Sequence, residues 1–377
     1  MTNQAAYIES LTPWPEEFGL GRIRALLARL GDPQLSYPSI HVVGTNGKTT
    51  TARMLEAVLE GEGLTVGTYT SPHVLGWSER IRVGGAEADF EHAIERVRPH
   101  AAELGATQFE ALTAAALAEF EASGVDVAVV EAGLGGRHDA TNVLRSPVQV
   151  LTNVALEHTE HLGDTREAIA AEKLAVVQPG ATVVLGEAEW AELARASGAG
   201  LVVSVGSSNL VLAVAAAEEL LGHPVDAAPA RELELPGRLE RRGDAPLELW
   251  DGAHNLAGVG YLLGRVPTRP YVLVLSILAD KDAEAMLAAL SPLGERVVLT
   301  SSSSRRALAA EDLAPAAARF FSQVEVVPDP MAALVRAREA AGEEGAVLVT
   351  GSLYLLADLA AALRPPFSVP WDASPNG

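Results

Sequence analysis

The sequence predicts an α/β protein with two domains: a P-loop-containing, mostly parallel sheet domain, followed by a smaller Rossmann-like α/β domain. Short apolar runs typical of buried strands alternate with segments of helical periodicity along the chain. An early run opens into a glycine-containing loop with a lysine and threonines. The alternation restarts after a turn-rich stretch past the middle of the chain, and 377 residues are long for a single core.

The first domain is predicted over residues 1–224. Its loop lies between a strand at residues 39–43 and a helix at residues 51–61, which ends at a glycine. Further buried strands are predicted at residues 125–130, 148–154 and 182–185. Such alternation favours a mostly parallel sheet with helices on both faces.

A hinge is predicted over residues 225–237, where turn residues are frequent. The second domain, residues 238–377, repeats the alternation, with strands at residues 271–275, 296–300, 324–327 and 346–350 and helices at residues 283–290 and 330–341. We expect the ligand site to lie between the two domains and to close around its ligand, because domain interfaces commonly bind ligands.

The composition excludes several classes of protein. A formal net charge of -21 repels phosphate backbones, so we expect no nucleic-acid partner. The absence of cysteine excludes disulfides and thiolate zinc sites, and it fits the cytoplasm, where we expect the protein as a monomer. The uncharged run at residues 196–217 contains glycines and serines that divide it into strand, turn and helix, so we expect no membrane span.

The segment HVVGTNGKTTT, residues 41–51, predicts a phosphate-binding loop. Glycines let the backbone curl around phosphate oxygens, and the start of a helix adds positive potential. Lys48 supplies a cation, and a threonine hydroxyl can bind Mg²⁺. The strict P-loop pattern fails at Val42, which leaves a shortened G-x-x-G-K-T. The alternative, an ordinary turn with a surface lysine, is disfavoured by the strand before the loop and the helix after it.

Two polar residues follow buried strands at the same predicted edge of the sheet. Glu131 ends one strand, and its carboxylate there can bind a metal that bridges nucleotide phosphates. His158 follows another strand, and its position alone leaves a structural role as open as a metal or substrate role. A carboxylate that caps a turn is the alternative for Glu131.

Lys173 and four residues of the second domain carry weaker signals. Residue type alone indicates that Lys173 is a solvated lysine on a helix surface. Arginine suits phosphate recognition, and aspartate after a strand suits a ribose hydroxyl or a helix cap. The residues concerned lie in predicted turns and are Arg238, Asp251, His254 and Asn255.

Taken together, these segments resemble the folylpolyglutamate synthase/dihydrofolate synthase family within the Mur ligase superfamily. The resemblance runs through most of the chain in one order. Its segments are EEFGLGRIRALLARLG, HVVGTNGKTTT, TYTSPHVLGWSERIRV, TQFEALTAAA, VVEAGLGGRHDATN, LEHTEHLGDTREAIAAEK, SNLVLAVAAA, LPGR, DGAHN, ADKD and VLVTGS. TSPH…ERIRV and LGGRxDATN are specific to the folate branch, whereas TNGKTT is shared with Mur ligases.

The resemblance implies an ATP-dependent amide ligase that joins L-glutamate to a folate-type carboxylate through an acyl phosphate, with two magnesium sites. The implied catalytic residues are Lys48, His158 and Lys173, the last of them carbamylated. The implied ATP contacts are Gly44, Thr45, Asn46, Gly47, Lys48, Thr49, Thr50, Asn209, Arg238 and Asp251. The implied metal ligands are Thr50, Ser71, Glu131 and His158; Thr49 stands where the family usually has glycine, so the choice between Thr49 and Thr50 stays open.

The folate-type substrate and glutamate are also assigned residues by this resemblance. These are Phe18, Gly19, Ser71, His73, Arg80, Gln108, Phe109, Glu110, His138, Asp139, Ala140 and His254. A Mur-type ligase of peptidoglycan precursors is the alternative enzyme, but the loop begins near residue 44 and leaves no room before it for the usual extra domain. A guanine-nucleotide switch is the non-enzyme alternative, and the chain contains no Asn-Lys-x-Asp loop.

Overall fold

The computed structural model describes residues 3–15 and 17–363 and divides into two compact units between Glu234 and Leu235. The first unit contains eight strands, which are β1 (Ser39–Val43), β2 (Val66–Tyr69), β3 (Ile81–Val83), β4 (Ala86–Glu87), β5 (Val127–Glu131), β6 (Val148–Leu151), β7 (Thr182–Leu185) and β8 (Leu201–Ser204). Its helices are α1 (Asn3–Ser10), α2 (Gly21–Arg29), α3 (Lys48–Gly61), α4 (Phe90–Leu104), α5 (Gln108–Ala122), α6 (Thr159–Leu162), α7 (Arg166–Leu174), α8 (Ala191–Ala196), α9 (Asn209–Leu221) and α10 (Ala228–Arg231).

The strands of the first unit form one sheet in the order β4-β3-β2-β5-β1-β6-β7-β8. The six strands from β2 to β8 pair in parallel, and β3 and β4 add an antiparallel edge. Every residue of the central strand β1 is buried, because helices cover both faces of the sheet. In its register with β5, Val42 lies opposite Glu131, which places that carboxylate beside the end of β1.

The second unit has a six-stranded sheet in the order β13-β12-β11-β14-β10-β9, in which only the edge strand β9 is antiparallel. Its strands are β9 (Glu240–Asp244), β10 (Leu247–Trp250), β11 (Val272–Leu275), β12 (Arg296–Leu299), β13 (Gln323–Val326) and β14 (Ala346–Thr350). Its helices are α11 (Leu256–Leu263), α12 (Ala283–Leu290), α13 (Ala310–Ala317), α14 (Pro330–Ala341) and α15 (Leu353–Leu363). The predicted fold class is confirmed.

Several predicted boundaries differ from the structure by one or more residues, and two of these differences have a clear physical reason. The strand predicted at residues 148–154 ends at Leu151, because the residues after it bond the glycine loop instead of a neighbouring strand. The helix predicted from residue 51 begins at Lys48, because the N–H of Thr51 already donates to the carbonyl of Gly47. Within the described ranges, no helix is both long and apolar enough to cross a membrane.

The predicted hinge at residues 225–237 contains a short helix, α10. Ala230 of this helix is fully buried in the core that α3 and α9 form with the sheet of the first unit. The division between the units lies after this helix. A hinge function for the segment stays a prediction.

Candidate functional site

The loop between β1 and α3 requires glycine at two positions. Gly44 has φ 149°, and a Cβ there would lie 1.9 Å from Oγ1 of Thr152. Gly47 has φ 81°, and a Cβ there would lie 2.5 Å from Oδ1 of Asn209. A side chain at either position would clash, and the left-handed backbone at Gly47 also favours glycine. Asn209, at the start of α9, therefore lies against the loop, and its contact with ATP, which the resemblance implies, stays a prediction.

The segment after β6 holds the loop in shape. Thr45 donates its N–H to the carbonyl of Asn153, and its hydroxyl accepts the N–H of Ala155. The Asn153 side chain accepts the N–H of Asn46 at 3.0 Å and donates to the Asn46 carbonyl at 3.1 Å. Thr152 donates to that same carbonyl at 2.7 Å. These bonds fix the loop before any ligand binds, so its backbone is preorganised.

Two lysines meet at the start of this loop. Lys48 Nζ donates to the carbonyls of Gly44 at 3.0 Å and Thr45 at 3.2 Å. Lys173 Nζ donates to the same Gly44 carbonyl at 2.9 Å and to Oε1 of Glu157 at 2.8 Å. The interpretation of Lys173 as a solvated surface lysine is wrong, because its side chain is 1% exposed. Lys173 does lie in a helix, as predicted, but its side chain projects from α7 toward the loop at Gly44.

Burial and charge perturb both members of the Lys173–Glu157 pair. Burial lowers the pKa of Lys173, and the nearby charge of Lys48 lowers it further, while Glu157 opposes the shift. Burial alone would raise the pKa of Glu157, but the ammonium groups of Lys173 and Lys48 outweigh it and bring this pKa to about 2. Glu157 is therefore a stable anion, and Lys173 is an unusually acidic ammonium group.

A second cluster lies at the end of β5. Both carboxylate oxygens of Glu131 lie 3.0 Å from Oγ1 of Thr49, and Oε2 accepts the N–H of Ser71 at 3.0 Å. The structure thus joins Thr49, Ser71 and Glu131 beside the loop. The sequence did not decide whether Thr49 or Thr50 is the metal ligand. The contact of Thr49 with Glu131 favours Thr49, and a metal role for Thr50 stays a prediction.

This donor set suits Mg²⁺. The ion prefers hard oxygen ligands, and in nucleotide sites one or two carboxylates suffice beside phosphates and waters. In the described part of the chain, no group of three or more His, Asp or Glu residues forms a metal cage of its own. His158 precedes α6 with φ 44°, an uncommon conformation for a residue with a side chain. The His158 side chain is half-buried, and Glu157 precedes it directly in the chain. Its metal role stays a prediction.

The loop from Gly133 to Asn142 lies against helix α7, which carries Lys173, and against Phe109, a predicted substrate residue. A Cβ on Gly136 would lie 2.6 Å from the carbonyl oxygen of Lys173. A Cβ on Gly133 would lie 2.5 Å from the ring of Phe109, which packs 5.9 Å from the ring of Tyr69. In this loop Asp139 and Ala140 are buried and His138 is exposed.

The remaining predicted substrate residues of the first unit have varied environments. Glu110 closes a capping box with Thr107 at the start of α5 and pairs with Arg22 at 2.7 Å. The Gln108 side chain donates to the carbonyl of Ile8. Arg80 donates to Nδ1 of His73 at 2.9 Å. Direct substrate contacts for these residues stay predictions.

Phe18 lies in an exposed aromatic cluster that the sequence did not predict. Its ring packs 6.4 Å from Trp14 and 5.6 Å from His161, and both Phe18 and Trp14 are about half exposed. A Cβ on Gly19, the next residue, would meet nothing within 4 Å beyond its own chain neighbours, so this position is open. The positions of Trp14, Phe18 and His161 in the sequence did not indicate that their rings would lie together.

In the second unit, the LPGR and DGAHN segments pack on each other. The N–H of Gly252 donates to the carbonyl of Gly237, and Asp251 accepts the N–H of Leu239 at 2.8 Å. Burial raises the pKa of Asp251, and Arg238 opposes the shift. His254 Nδ1 donates to the Gly252 carbonyl at 2.8 Å, and Asn255 caps α11. Arg238 and Asp251 are thus neighbours, and their assignment to ATP stays a prediction.

Sequence reasoning missed two residues that the structure places at the loop. Glu157 directly precedes His158 and pairs with Lys173, and Asn153 holds the loop backbone. A carboxylate beside a candidate metal ligand was the available signal for Glu157. For Asn153 the only signal was its place after a buried strand.

The chain is similar to known ligases over nearly its whole length. Residues 42–221 match the Mur ligase middle domain, and residues 237–353 match the Mur ligase, glutamate ligase domain. The dihydrofolate synthase/folylpolyglutamate synthase of Mycobacterium tuberculosis is 35% identical over 392 aligned residues, covering 82% of this chain and 80% of that protein.

Two of the similar solved structures contain bound ligands. E. coli FolC in complex with DHPP and ADP has a TM-score of 0.85 and 30% identity, covering 95% of this chain and 96% of that one. A bifunctional folylpolyglutamate synthase/dihydrofolate synthase with Mn, AMPPNP and L-glutamate bound has a TM-score of 0.85 and 30% identity, covering 96% and 98%.

Proposed function

This chain belongs to the folylpolyglutamate synthase/dihydrofolate synthase family of the Mur ligases, and we propose that its Gly44–Thr50 loop holds the ATP phosphates during glutamate ligation. The observation that carries the proposal is the convergence of Lys48 and Lys173 on the carbonyl of Gly44. The glycine backbone, Lys48 and the start of α3 provide the donors and the positive potential that a triphosphate needs.

The chain is an ATP-dependent ligase that adds L-glutamate to a folate-type carboxylate. Its relatives have been solved with DHPP, with ADP and with L-glutamate, which supports these molecules as substrate types here. The folate-branch segments at residues 70–83 and 134–142 lie in the described structure beside Glu131 and Lys173 respectively. The identity of the relatives favours a folate-type substrate over a cell-wall nucleotide.

The first chemical step activates the substrate carboxylate. A carboxylate oxygen attacks the γ-phosphorus of ATP, the bond to the β-phosphate oxygen breaks, and ADP leaves with that electron pair. Lys48 is the mobile cation that offsets charge on the transferred phosphoryl group, a role that is electrostatic in phosphoryl transfer. The preorganised loop backbone supplies further N–H donors without reorganisation.

Mg²⁺ would neutralise phosphate charge in this step, and the oxygen donors beside the loop fit it. Glu131, Thr49 and the Ser71 region are the residues that would hold a first ion, and His158 with a modified Lys173 is the candidate set for a second. A bound Mn in the relative supports a divalent ion but leaves the number of ions here as a proposal.

Carbamylation of Lys173 is part of the proposal. The neutral amine, rather than the ammonium ion, adds to CO₂, and burial of Lys173 favours the neutral amine. The new N–C bond forms, the surplus proton passes to solvent, and the product is an anion that keeps one N–H for the Gly44 carbonyl. It also places a second negative charge beside Glu157, so the pair then requires a cation nearby.

In the second step the neutral amine of glutamate attacks the acyl carbon. The C–O bond to phosphate breaks, inorganic phosphate leaves, and the surplus amine proton passes to solvent. Exclusion of water at this stage protects the acyl phosphate from hydrolysis.

The experiment that tests the function compares three acceptor substrates. Purified protein is given ATP, Mg²⁺ and L-glutamate with dihydropteroate, tetrahydrofolate or a uridine-nucleotide cell-wall precursor, and phosphate release and product mass are followed. Phosphate release coupled to a glutamylated folate or pteroate supports the proposal. Ligation only to the cell-wall precursor would overturn it in favour of the Mur-type alternative.

A further inference from the structure

A buried chain of hydrogen bonds links the strand before the phosphate loop to the loop at residues 133–142. His41, in the centre of β1, has its Nε2 atom 2.8 Å from the hydroxyl of Thr141. The Thr141 hydroxyl lies 2.5 Å from Oδ1 of Asp139, and the Thr141 N–H donates to that oxygen at 3.0 Å. The other oxygen, Oδ2, accepts the N–H of Leu134 at 2.8 Å. All three side chains are buried.

The direction of each hydrogen bond follows from the chemistry of the three groups. A carboxylate only accepts, so the Thr141 hydroxyl donates to Asp139. That hydroxyl then accepts from His41, which fixes the imidazole as the Nε2–H tautomer. Burial lowers the pKa of His41 to about 3, so the ring is neutral. His41 is therefore a fixed single donor.

The far end of this chain lies at the proposed substrate site. Asp139 closes the turn whose glycines approach the ring of Phe109 and the backbone of Lys173. Tyr69, which packs on Phe109, also lies within electrostatic range of Asp139. The orientation of one carboxylate thus sets the shape of a loop that touches two predicted site residues.

A histidine in this strand is costly unless it has a function or a partner. The other four residues of β1 are Ser39, Ile40, Val42 and Val43, and all are buried. Burying an imidazole costs desolvation free energy, and one hydrogen bond compensates for that cost without adding net stability. An apolar residue would fill β1 without that cost.

We propose that His41 is a positioning residue for the folate-type substrate: through Thr141 it orients Asp139 and so fixes the 133–142 loop against the substrate. The proposal rests on the proposed function and on the assignment of His138, Asp139 and Ala140 to the folate-type substrate, which the resemblance implies. His41 itself touches no reacting atom in this arrangement. It acts on substrate binding, although it lies in the strand that enters the ATP loop.

The test uses two pairs of variants and measures KM for each substrate separately. His41→Gln retains a donor near the position of Nε2, whereas His41→Leu removes it. Thr141→Ser retains the hydroxyl, whereas Thr141→Val removes it with little change in shape. We expect KM for the folate-type substrate to rise about tenfold in His41→Leu and Thr141→Val, as for one lost hydrogen bond. KM for ATP stays near the wild-type value, and the Gln and Ser variants remain close to wild type.

A matched control comes from the same strand. Ser39 lies on the same face of β1 and bonds Ser146 at 2.7 Å, but that pair does not reach Asp139. Ser39→Ala removes a buried hydrogen bond from β1 and is expected to leave KM for the folate-type substrate unchanged. The double variant His41→Leu/Thr141→Val is expected to match either single variant, because both break one chain.

Several outcomes would overturn the proposal. A parallel rise in KM for ATP, or an equal effect of Ser39→Ala, would mean that His41 only stabilises β1. Additive effects in the double variant would separate His41 from Thr141. If Asp139→Asn also leaves KM for the folate-type substrate unchanged while ligation proceeds, the loop assignment fails but the ligase function stands. Loss of folate-dependent ligation in the wild-type protein would instead reject the proposed function itself.

Discussion

Lys48 and Lys173 donate to the same carbonyl oxygen, that of Gly44, at 3.0 and 2.9 Å. Two ammonium groups at one acceptor repel each other, and Glu157 offsets only part of that repulsion. Arrival of phosphate would draw Lys48 toward the ligand, and carbamylation would convert Lys173 into an anion. Phosphate binding and carbamylation would therefore each relieve this repulsion.

Lys48→Ala is expected to lower kcat on the order of 10²-fold or more, because an electrostatic contact to the transferred phosphoryl group is lost. The fold should persist, since Lys173 still donates to Gly44. Steady-state phosphate release and thermal unfolding measure the two effects. Arg195→Ala, which removes an exposed cation paired with Glu192, is the charge control. Near-wild-type turnover in Lys48→Ala would remove this lysine from the ATP site.

Carbamylation of Lys173 is testable because the chain has three lysines: Lys48, Lys173 and Lys281. With isotope-labelled bicarbonate, we expect one carbamate signal by NMR that disappears in Lys173→Ala. Activity of that variant should fall roughly 10- to 100-fold, as when a supporting ligand of a metal site is lost. Short carboxylic acids should restore part of it by replacing the missing carboxylate.

The control for this modification is Lys281→Ala. Lys281 pairs with Asp280 in the second unit, and its replacement should leave the carbamate signal intact. In CO₂-depleted buffer, activity of the wild-type protein should recover on adding bicarbonate. A fully active Lys173→Ala enzyme, or a signal that persists in it, would show that Lys173 is not the functional carbamate.

The choice between the two threonines has a direct test in the variants Thr49→Val and Thr50→Val. Because Thr49 donates to Glu131, its loss should raise the Mg²⁺ concentration needed for half-maximal activity about tenfold. Thr50→Val should have the smaller effect. Magnesium titrations at saturating ATP measure both, and the reverse order of effects would return the metal role to Thr50.

The Lys173–Glu157 pair predicts a specific acid sensitivity. The folded-state pKa of Glu157, about 2, lies below its ordinary value of 4.5. Its stabilising contribution is therefore fully present above pH 4.5 and is lost as the pH falls from 4.5 toward 2. Glu157→Gln should show a flatter decline of unfolding free energy across this window, measured by urea denaturation at several pH values. An identical decline in both proteins would mean that the pair does not govern acid unfolding.

Much of the fold was predictable because buried parallel strands are nearly continuous apolar runs. Residues 39–43, 182–185 and 346–350 were assigned with the bounds that the structure has. The end of β6 was not, because Thr152 and Asn153 resemble strand residues locally and leave the ladder only to bond a loop distant in sequence. Periodicity reports on local pattern and burial, not on such long-range partners.

The site was predictable where glycine, lysine or a strand-end carboxylate marks it. Glu131 lies at the end of a buried strand, as expected, and Thr49, which contacts it, was one of the two threonines considered as metal ligands. The burial of Lys173 was not predictable from residue type, since most lysines on helices are solvated. His41 also gave no signal, because a histidine within an apolar strand reads only as part of the strand.

Ligation through an acyl phosphate at the Gly44–Thr50 loop can be tested by following the oxygen atoms of the substrate carboxylate. The carboxylate of the folate-type substrate is labelled with heavy oxygen, and the reaction is run with ATP, Mg²⁺ and L-glutamate. We expect one labelled oxygen per turnover to appear in the released phosphate, and we expect Lys48→Ala to abolish this transfer together with ligation. Unlabelled phosphate alongside glutamylated product would contradict it.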